Sequence, residues 1–368
     1  MEEKMRVSEM GAVRSVAPVT GSSVATSSRR ELLGSVAALG AGALLPLASS
    51  LAQSPASRTT RKGKIDVHYH IGQRRRANAT GKSKTGRFGD WTPEAAIEDM
   101  DHGGVAVGML SAAAGGGLPQ PRVWNETAAK LASDFPGCFG LLAALPMADT
   151  DASLKEIEYS TDALKADGFG IITSYGDAWL GDPKFRPIFE ELNRRKAVVF
   201  VHPTDAPCCM PAAMTYMKPP MNGSWLEWPM HTARTIYSLM VNGTLRQLPD
   251  LRFIFAHSGG VMPLFVDRLI GMGTAENFGP DVINTLFPEG IEAELKRCYF
   301  EIAQGFAPLN IYALKRMVPA SHILFGSDYP FFMPSLPAKG LADLKLPADE
   351  QKAIEKGNAA GLFPQWRT

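Results

Sequence analysis

From Gly63 onward the chain alternates short apolar runs with amphipathic stretches, and this alternation limits the possible folds more than any other feature. The apolar runs are residues 65–67, 105–110, 139–145, 168–173, 198–201, 251–256, 299–303 and 323–325. Helical patterns fall between them at 93–100, 125–135, 154–165, 185–195, 232–247, 261–272 and 311–317. Short apolar runs separated by amphipathic helices are the signature of β/α units and a parallel sheet. Eight such units over the 61–368 region fit a (β/α)8 barrel of the TIM type, whose usual length is about 250 residues plus insertions. A doubly wound sheet competes, but no G-x-G-x-x-G follows any run, and Gly115-Gly116-Gly117 lacks the required frame.

A barrel places its chemistry at the carboxyl ends of its strands. His68 and His70 close the first run. With period two they leave one face of the strand, and Asp66 points the same way one layer deeper. Two imidazoles so placed are half of a divalent metal site, against the alternative of a surface strand with two unrelated histidines. His202 closes the fifth run, His257 the sixth, and Asp328 the eighth. Four of the seven histidines thus end three strands, while His102 and His322 sit where a solvated or capping role is expected.

The net charge of +1 gives no reason to expect nucleic acid or an anionic membrane as partner. Four cysteines, Cys138, Cys208, Cys209 and Cys298, are too few and too irregular for a disulfide framework or a zinc ribbon. Residues 1–60 do not read as fold. Arg29-Arg30 leads directly into the apolar run 32–47, and Ser50-Leu51-Ala52 offers a small-x-small cleavage site. The run is too short and Gly-rich for a stable span, which needs about 20 apolar residues. The segment resembles a twin-arginine export signal and predicts a periplasmic protein; the alternative is a disordered tail on a cytoplasmic enzyme.

Ile65-Asp66-Val67-His68-Tyr69-His70, Val199-Phe200-Val201-His202-Pro203, Phe255-Ala256-His257-Ser258-Gly259-Gly260, Phe325-Gly326-Ser327-Asp328-Tyr329-Pro330 and Gly357-Asn358-Ala359 together resemble the amidohydrolase superfamily. The similarity is greatest to its branch containing aminocarboxymuconate semialdehyde decarboxylase. Within it, Lys165-Ala166-Asp167-Gly168, Gly181-Asp182-Pro183 and Leu192-Asn193-Arg194-Arg195 resemble 6-methylsalicylate decarboxylase-like proteins. The resemblance implies that His68, His70, His202 and Asp328 hold one divalent metal and that His257 is the catalytic imidazole beside it. Three imidazoles and a carboxylate suit zinc first, with manganese the alternative. Binuclear relatives use a lysine after the fourth strand; residues 171–175 here contain none, so a second metal is not expected. The resemblance also implies an acidic residue where this chain has His231, which then either alters the electrostatics around the ligands or simply begins a helix.

The segment after the first strand carries Arg74, Arg75, Arg76, Lys82, Lys84 and Arg87 against Asp90, a net +5. Such a loop would draw in a small anionic substrate, and one arginine could clamp a carboxylate. Trp91, Trp225, Phe306, Phe331 and Phe332 fall in other loops of the same face and suit a planar substrate. Three functions compete. The first is a metal-dependent nonoxidative decarboxylase of a small aromatic or conjugated acid, in which His257 and Asp328 manage protons. The second is a metal-dependent hydrolase of a lactone, amide or activated carbon-carbon bond. The third is a noncatalytic metal-binding barrel, which would have no need of His257. A homodimer is expected.

Overall fold

The structure, a computed structural model, describes residues 61–71, 91–112, 120–209, 223–272 and 279–367. Eight strands form one parallel sheet in chain order: β1 (Lys64–His70), β2 (Val105–Ser111), β3 (Phe139–Ala144), β4 (Gly168–Ile172), β5 (Val198–His202), β6 (Arg252–Phe255), β7 (Tyr299–Glu301) and β8 (Ile323–Leu324). Each falls on one of the eight expected runs. β1 extends past its apolar core to include both histidines.

The sheet closes on itself beyond β8. Val67 N–H donates to Phe325 O (3.0 Å), Asp328 N–H to His68 O (2.9 Å) and His70 N–H to Tyr329 O (2.7 Å). These bonds lay the segment after β8 along β1 and carry Asp328 to the two histidines. The result is the expected barrel, in which parallel strands are covered on both faces and read as continuous apolar runs. β2 and β3 are accordingly buried at every position.

Period-two alternation sorts the side chains into two layers. Val198, Phe200, Ile254, Ala256, Met109, Leu142 and Leu324 share one apolar cluster. Val199, Val201, Phe253 and Phe255 pack in another with the helix residues Ile188, Leu192, Ile236 and Leu239. The first set fills the barrel interior, so His202, in phase with Val198 and Phe200, points inward.

The outer layer includes α1 (Pro93–Gly103), α2 (Pro121–Asp134), α3 (Thr150–Asp162), α4 (Arg186–Arg194), α5 (Glu227–Val241), α6 (Met262–Met272) and α7 (Pro308–Met317). Thr92 and Asp149 cap α1 and α3 by accepting from Ala95 N–H and Ala152 N–H. The helix expected over 232–247 is two pieces, because Gly243 adopts φ 69 and starts a separate turn, Thr244–Gln247. A small hairpin, Ser174–Tyr175 with Ala178–Trp179, follows β4 and was not anticipated. Nor was the C-terminal helix Asn358–Leu362, whose neighbourhood contributes Ala359, Phe363 and Trp366 to the interior cluster beside Ile65, Ala106 and Val198.

Among the described residues no helix is long and apolar enough to cross a membrane. The expected export signal, with Arg29 and Arg30, lies outside the described residues, as do Arg74, Arg75, Arg76 and Arg87.

Candidate metal centre

Four expected ligands come together. One donor atom from each of His68, His70, His202 and Asp328 lies within 4.8 Å of the others, and all four residues are buried. The three imidazoles stand nearly at right angles to one another, with interplanar angles of 89°, 84° and 82°. At each ring, Nδ1 faces a carboxylate or carbonyl oxygen that can only accept; at His70 the Ser111 hydroxyl lies alongside at 3.2 Å. His68 Nδ1 donates to Glu301 Oε1 (2.8 Å), His70 Nδ1 to Ser111 O (3.0 Å) and His202 Nδ1 to Pro203 O (2.7 Å). In the neutral ring this leaves every Nε2 a bare lone pair.

Those lone pairs converge on one another and on a carboxylate. His68 Nε2 lies 2.9 Å from His70 Nε2, and both lie near Asp328 Oδ1, at 3.1 and 3.2 Å. Neither His202 Nε2 nor Asp328 Oδ1 has a hydrogen-bond partner, although both are buried. Four acceptors facing one another in a dry site repel unless a proton on His68 or a cation lies among them. The residues present therefore fit a divalent metal, and the nitrogen-rich donor set without thiolate suits zinc or manganese.

The protonation equilibria follow from the same geometry. Burial pushes the His68 imidazole down, but the Asp328 and Glu301 carboxylates outweigh it and raise it to about 10. Burial lowers His70, and it lowers His202 far more, with the neighbouring His70 and His68 adding to the effect. Burial works to raise Asp328, yet His68, His257 and His70 hold it well below the usual carboxylate range. Beneath them Asp66 is fully buried and pushed up to about 7 by that burial. Its Oδ1 accepts from His68 N–H and Ser327 N–H, tying β1 to the segment after β8.

His257 stands beside the cluster, with Nε2 3.4 Å from Asp328 Oδ2. The other oxygen of Asp328 is thus left to the ligand side, and Gln304 Nε2 also donates to Oδ2 (2.6 Å). The backbone here is strained: His257 (φ 54), Ser258 (φ 58), Gln304 (φ 55) and Asp328 (φ 64) are four of the seven described non-glycine residues with left-handed φ. Clustering of that kind marks sites where the surroundings fix a conformation the residue alone disfavours.

Glu301 and Gln304 escaped the sequence reading. The available signal was a carboxylate inside the otherwise apolar run Tyr299-Phe300-Glu301-Ile302-Ala303, and Glu301 is fully buried there. A second group, His68 with His257 and Glu301, is also close enough to hold an ion. The Glu301 oxygens, however, are occupied by N–H donors from His68, His257 and Ala303.

The remaining expected residues divide. Phe331 is half exposed, with its ring edge-on to His70 at 6.0 Å, and borders the cluster. Trp91 packs against the sheet–helix core with its indole N–H buried and unbonded; among the described residues no hydrogen bond or ring contact joins it to the cluster. His231 does not begin its helix but is buried one turn inside α5, donating from Nδ1 to Thr204 O (2.7 Å) just beyond His202. His102 is exposed, and His322 donates to Cys298 O while stacking on Tyr299.

Residues 65–365 match the amidohydrolase family. The chain is similar to 6-methylsalicylic acid decarboxylase of Penicillium expansum, with 32% identity over 325 residues, 82% of this chain and 96% of the relative. It is also similar to 2-amino-3-carboxymuconate-6-semialdehyde decarboxylase of Dictyostelium discoideum, with 26% identity over 255 residues, 66% of this chain and 67% of the relative. Among solved structures, 5-carboxyvanillate decarboxylase of Novosphingobium aromaticivorans, complexed with manganese and 4-hydroxy-3-methoxy-5-nitrobenzoic acid, shares the fold with a TM-score of 0.71. It is 18% identical, and the match covers 82% of this chain and 96% of that one. From the barrel, the strand-end cluster and a match spanning nearly all of the described residues, the chain belongs to the amidohydrolase family.

Proposed function

We propose that the protein is a metal-dependent, nonoxidative decarboxylase of a small aromatic or conjugated carboxylic acid, with His68, His70, His202 and Asp328 holding one divalent cation. The observation that carries this reading is a cluster of bare imidazole nitrogens and a carboxylate with a further imidazole, His257, 3.4 Å from the same carboxylate. A binding barrel has no use for that last group. The names of the relatives, decarboxylases of aromatic or conjugated acids, favour loss of carbon dioxide over hydrolysis. A divalent cation bound here supplies Lewis acidity and an anchor for an anionic oxygen.

The chain's own residues supply the rest. Asp328, itself held by the Gln304 amide, orients His257 beside the cluster. Breaking the bond to the carboxylate releases carbon dioxide and leaves an electron pair on carbon, and His257 Nε2 gives the proton that completes the product. Phe331, edge-on to His70, provides an apolar wall for a planar ring. The donor set favours zinc over manganese in this reading.

Two further parts of the proposal concern the cell. The Arg29-Arg30 pair, the apolar run behind it and Ser50-Leu51-Ala52 support twin-arginine export to the periplasm. Leu264, Phe265 and Ile270 on α6, with Leu309 and Tyr312 on the neighbouring α7, face solvent and support a homodimer.

The test is a screen of salicylates, dihydroxybenzoates and small lactones with the zinc- or manganese-loaded protein, without oxygen or nicotinamide, read by mass spectrometry. Loss of carbon dioxide from an acid, abolished by chelator and restored by metal, is the expected result. Gain of water by a lactone with no decarboxylation would move the assignment to the hydrolase, and turnover indifferent to chelator would remove the metal.

A further inference from the structure

We infer that Glu301 is a positioning residue that couples the metal site to the proton-transferring imidazole, through a carboxylate no isosteric side chain can replace. The inference rests on the proposed metal site and on the role given to His257.

Three N–H donors converge on the two oxygens of Glu301. His68 Nδ1 (2.8 Å) and the His257 backbone N–H (2.6 Å) both reach Oε1, and the Ala303 backbone N–H (2.5 Å) reaches Oε2. They come from β1, from the turn after β6 and from the turn after β7, which are far apart in sequence. A carboxylate accepts at both oxygens; an amide accepts at one and presents N–H at the other. Glutamine, although of the same shape, must therefore set a donor against a donor whichever way it turns, in a site with no water access to relieve it.

Each of the three bonds fixes something the site needs. The bond to His68 holds the ring with Nδ1 protonated and Nε2 toward the other ligands. The bond to His257 N–H falls on a residue with φ 54, a conformation disfavoured for a side chain with a Cβ, and so sets where that imidazole stands. The bond to Ala303 precedes Gln304, also left-handed, whose amide donates to Asp328 Oδ2 beside His257. One buried carboxylate thus orients a metal ligand, the imidazole next to it and the amide that shares Asp328 with that imidazole. The chain also makes room for it: a Cβ at Gly326 would overlap Glu301 Oε2.

The experiment compares the parent with Glu301→Gln and, as a second perturbation that keeps the charge but displaces it, Gly326→Ala. Zinc affinity is measured by competition with a chromophoric chelator. The His68 Nδ1 proton is followed by NMR in the zinc-loaded protein, and kcat and KM are measured at saturating zinc. Glu301→Gln is expected to weaken zinc binding about 10- to 100-fold. It should also move the His68 Nδ1 proton upfield and, with zinc saturating, still lower kcat about tenfold or more with KM little changed. Gly326→Ala should shift the same three readouts in the same direction, and it decides the matter if Glu301→Gln does not fold. Unchanged zinc affinity overturns the inference. So does a loss of affinity whose kcat returns to the parent value at saturating zinc, because the coupling to His257 is then absent. A parent that binds no zinc or manganese at all overturns the metal reading, and this inference falls with it; a parent that binds while both variants bind equally well overturns the inference alone.

Discussion

A ligand must be deprotonated to hold a metal, and the three imidazoles do not start from the same state. His68, raised to about 10 by Asp328 and Glu301, carries a second ring proton at pH 8 and is an imidazolium, whereas His70 and His202, lowered by burial, are neutral. Zinc uptake at pH 8 should therefore release about one proton per site and tighten as pH rises toward the His68 value, a release that weakly buffered calorimetry measures directly. Uptake with no proton released would mean that Asp328 and Glu301 do not charge His68. Replacing His202 by Ala should abolish tight binding. His257→Ala should keep the metal and lose roughly two to four decades of kcat, the range for a general acid or base; elemental analysis beside a rate assay separates the two. The members of the cluster were legible in the sequence because polar side chains closing apolar runs stand out, and because period two fixes the common face of His68 and His70. Glu301 was not legible. It lies inside a run read as strand, and its meaning depends on three donors from three segments that no local pattern announces. The sequence left His231 open between two roles, since a position near a helix start gives no hint of the buried carbonyl of Thr204 against which it packs.

At the level of elements, the motif Gly357-Asn358-Ala359 turns out to be structural. Asn358 Nδ2 donates to Ala320 O and Ile323 O, both at 2.8 Å, and so fastens the C-terminal helix to the start of β8. β8 is two residues long, and the segment beyond it carries Asp328, so its anchorage matters to the site at one remove. Asn358→Ala should cost about 1–3 kcal/mol by removing the one amide that bonds both Ala320 O and Ile323 O, the former keeping its bond from Ile323 N–H. Urea unfolding should show that loss while zinc affinity in the folded state stays at the parent value, since the contact lies at the opposite end of the strand from the ligands. The eight strands were readable because a buried parallel strand is an unbroken apolar run. Apolar periodicity places two helix starts at 125 and 311, later than the observed Pro121 and Pro308, which occupy the first turn where a missing N–H costs nothing. Gly243 and the Gly176 turn of the small hairpin, both with positive φ, were the overlooked punctuation elsewhere.

Across the whole molecule, charge is distributed in a way its total conceals. The chain carries a net +1, yet the segment between β1 and α1 holds six cations against Asp90, and it begins directly after His68 and His70. The far N-terminal pair has a separate role in the proposal: Arg29→Lys with Arg30→Lys should leave the protein in the cytoplasm with its leader uncleaved, and unchanged fractionation would remove the export reading. For the segment after β1, position suggests recognition of the substrate carboxylate at the barrel mouth. Two physical roles are separable there. An exposed cation that steers from a distance is screened over about 10 Å at 0.1 M salt, whereas a desolvated arginine bound to both carboxylate oxygens is not. Neutralising Arg74, Arg75, Arg76 and Arg87 one at a time should give small losses in kcat/KM that fade as salt is added. At most one should give a large loss that persists, and that one is the clamp. Steady-state kinetics on each variant at low and high salt, with the free acid and its methyl ester, makes the comparison. Four variants indistinguishable from the parent at low salt, or esters turned over as readily as acids, would show that the carboxylate is not read by this loop, and the case for a hydrolase would strengthen accordingly.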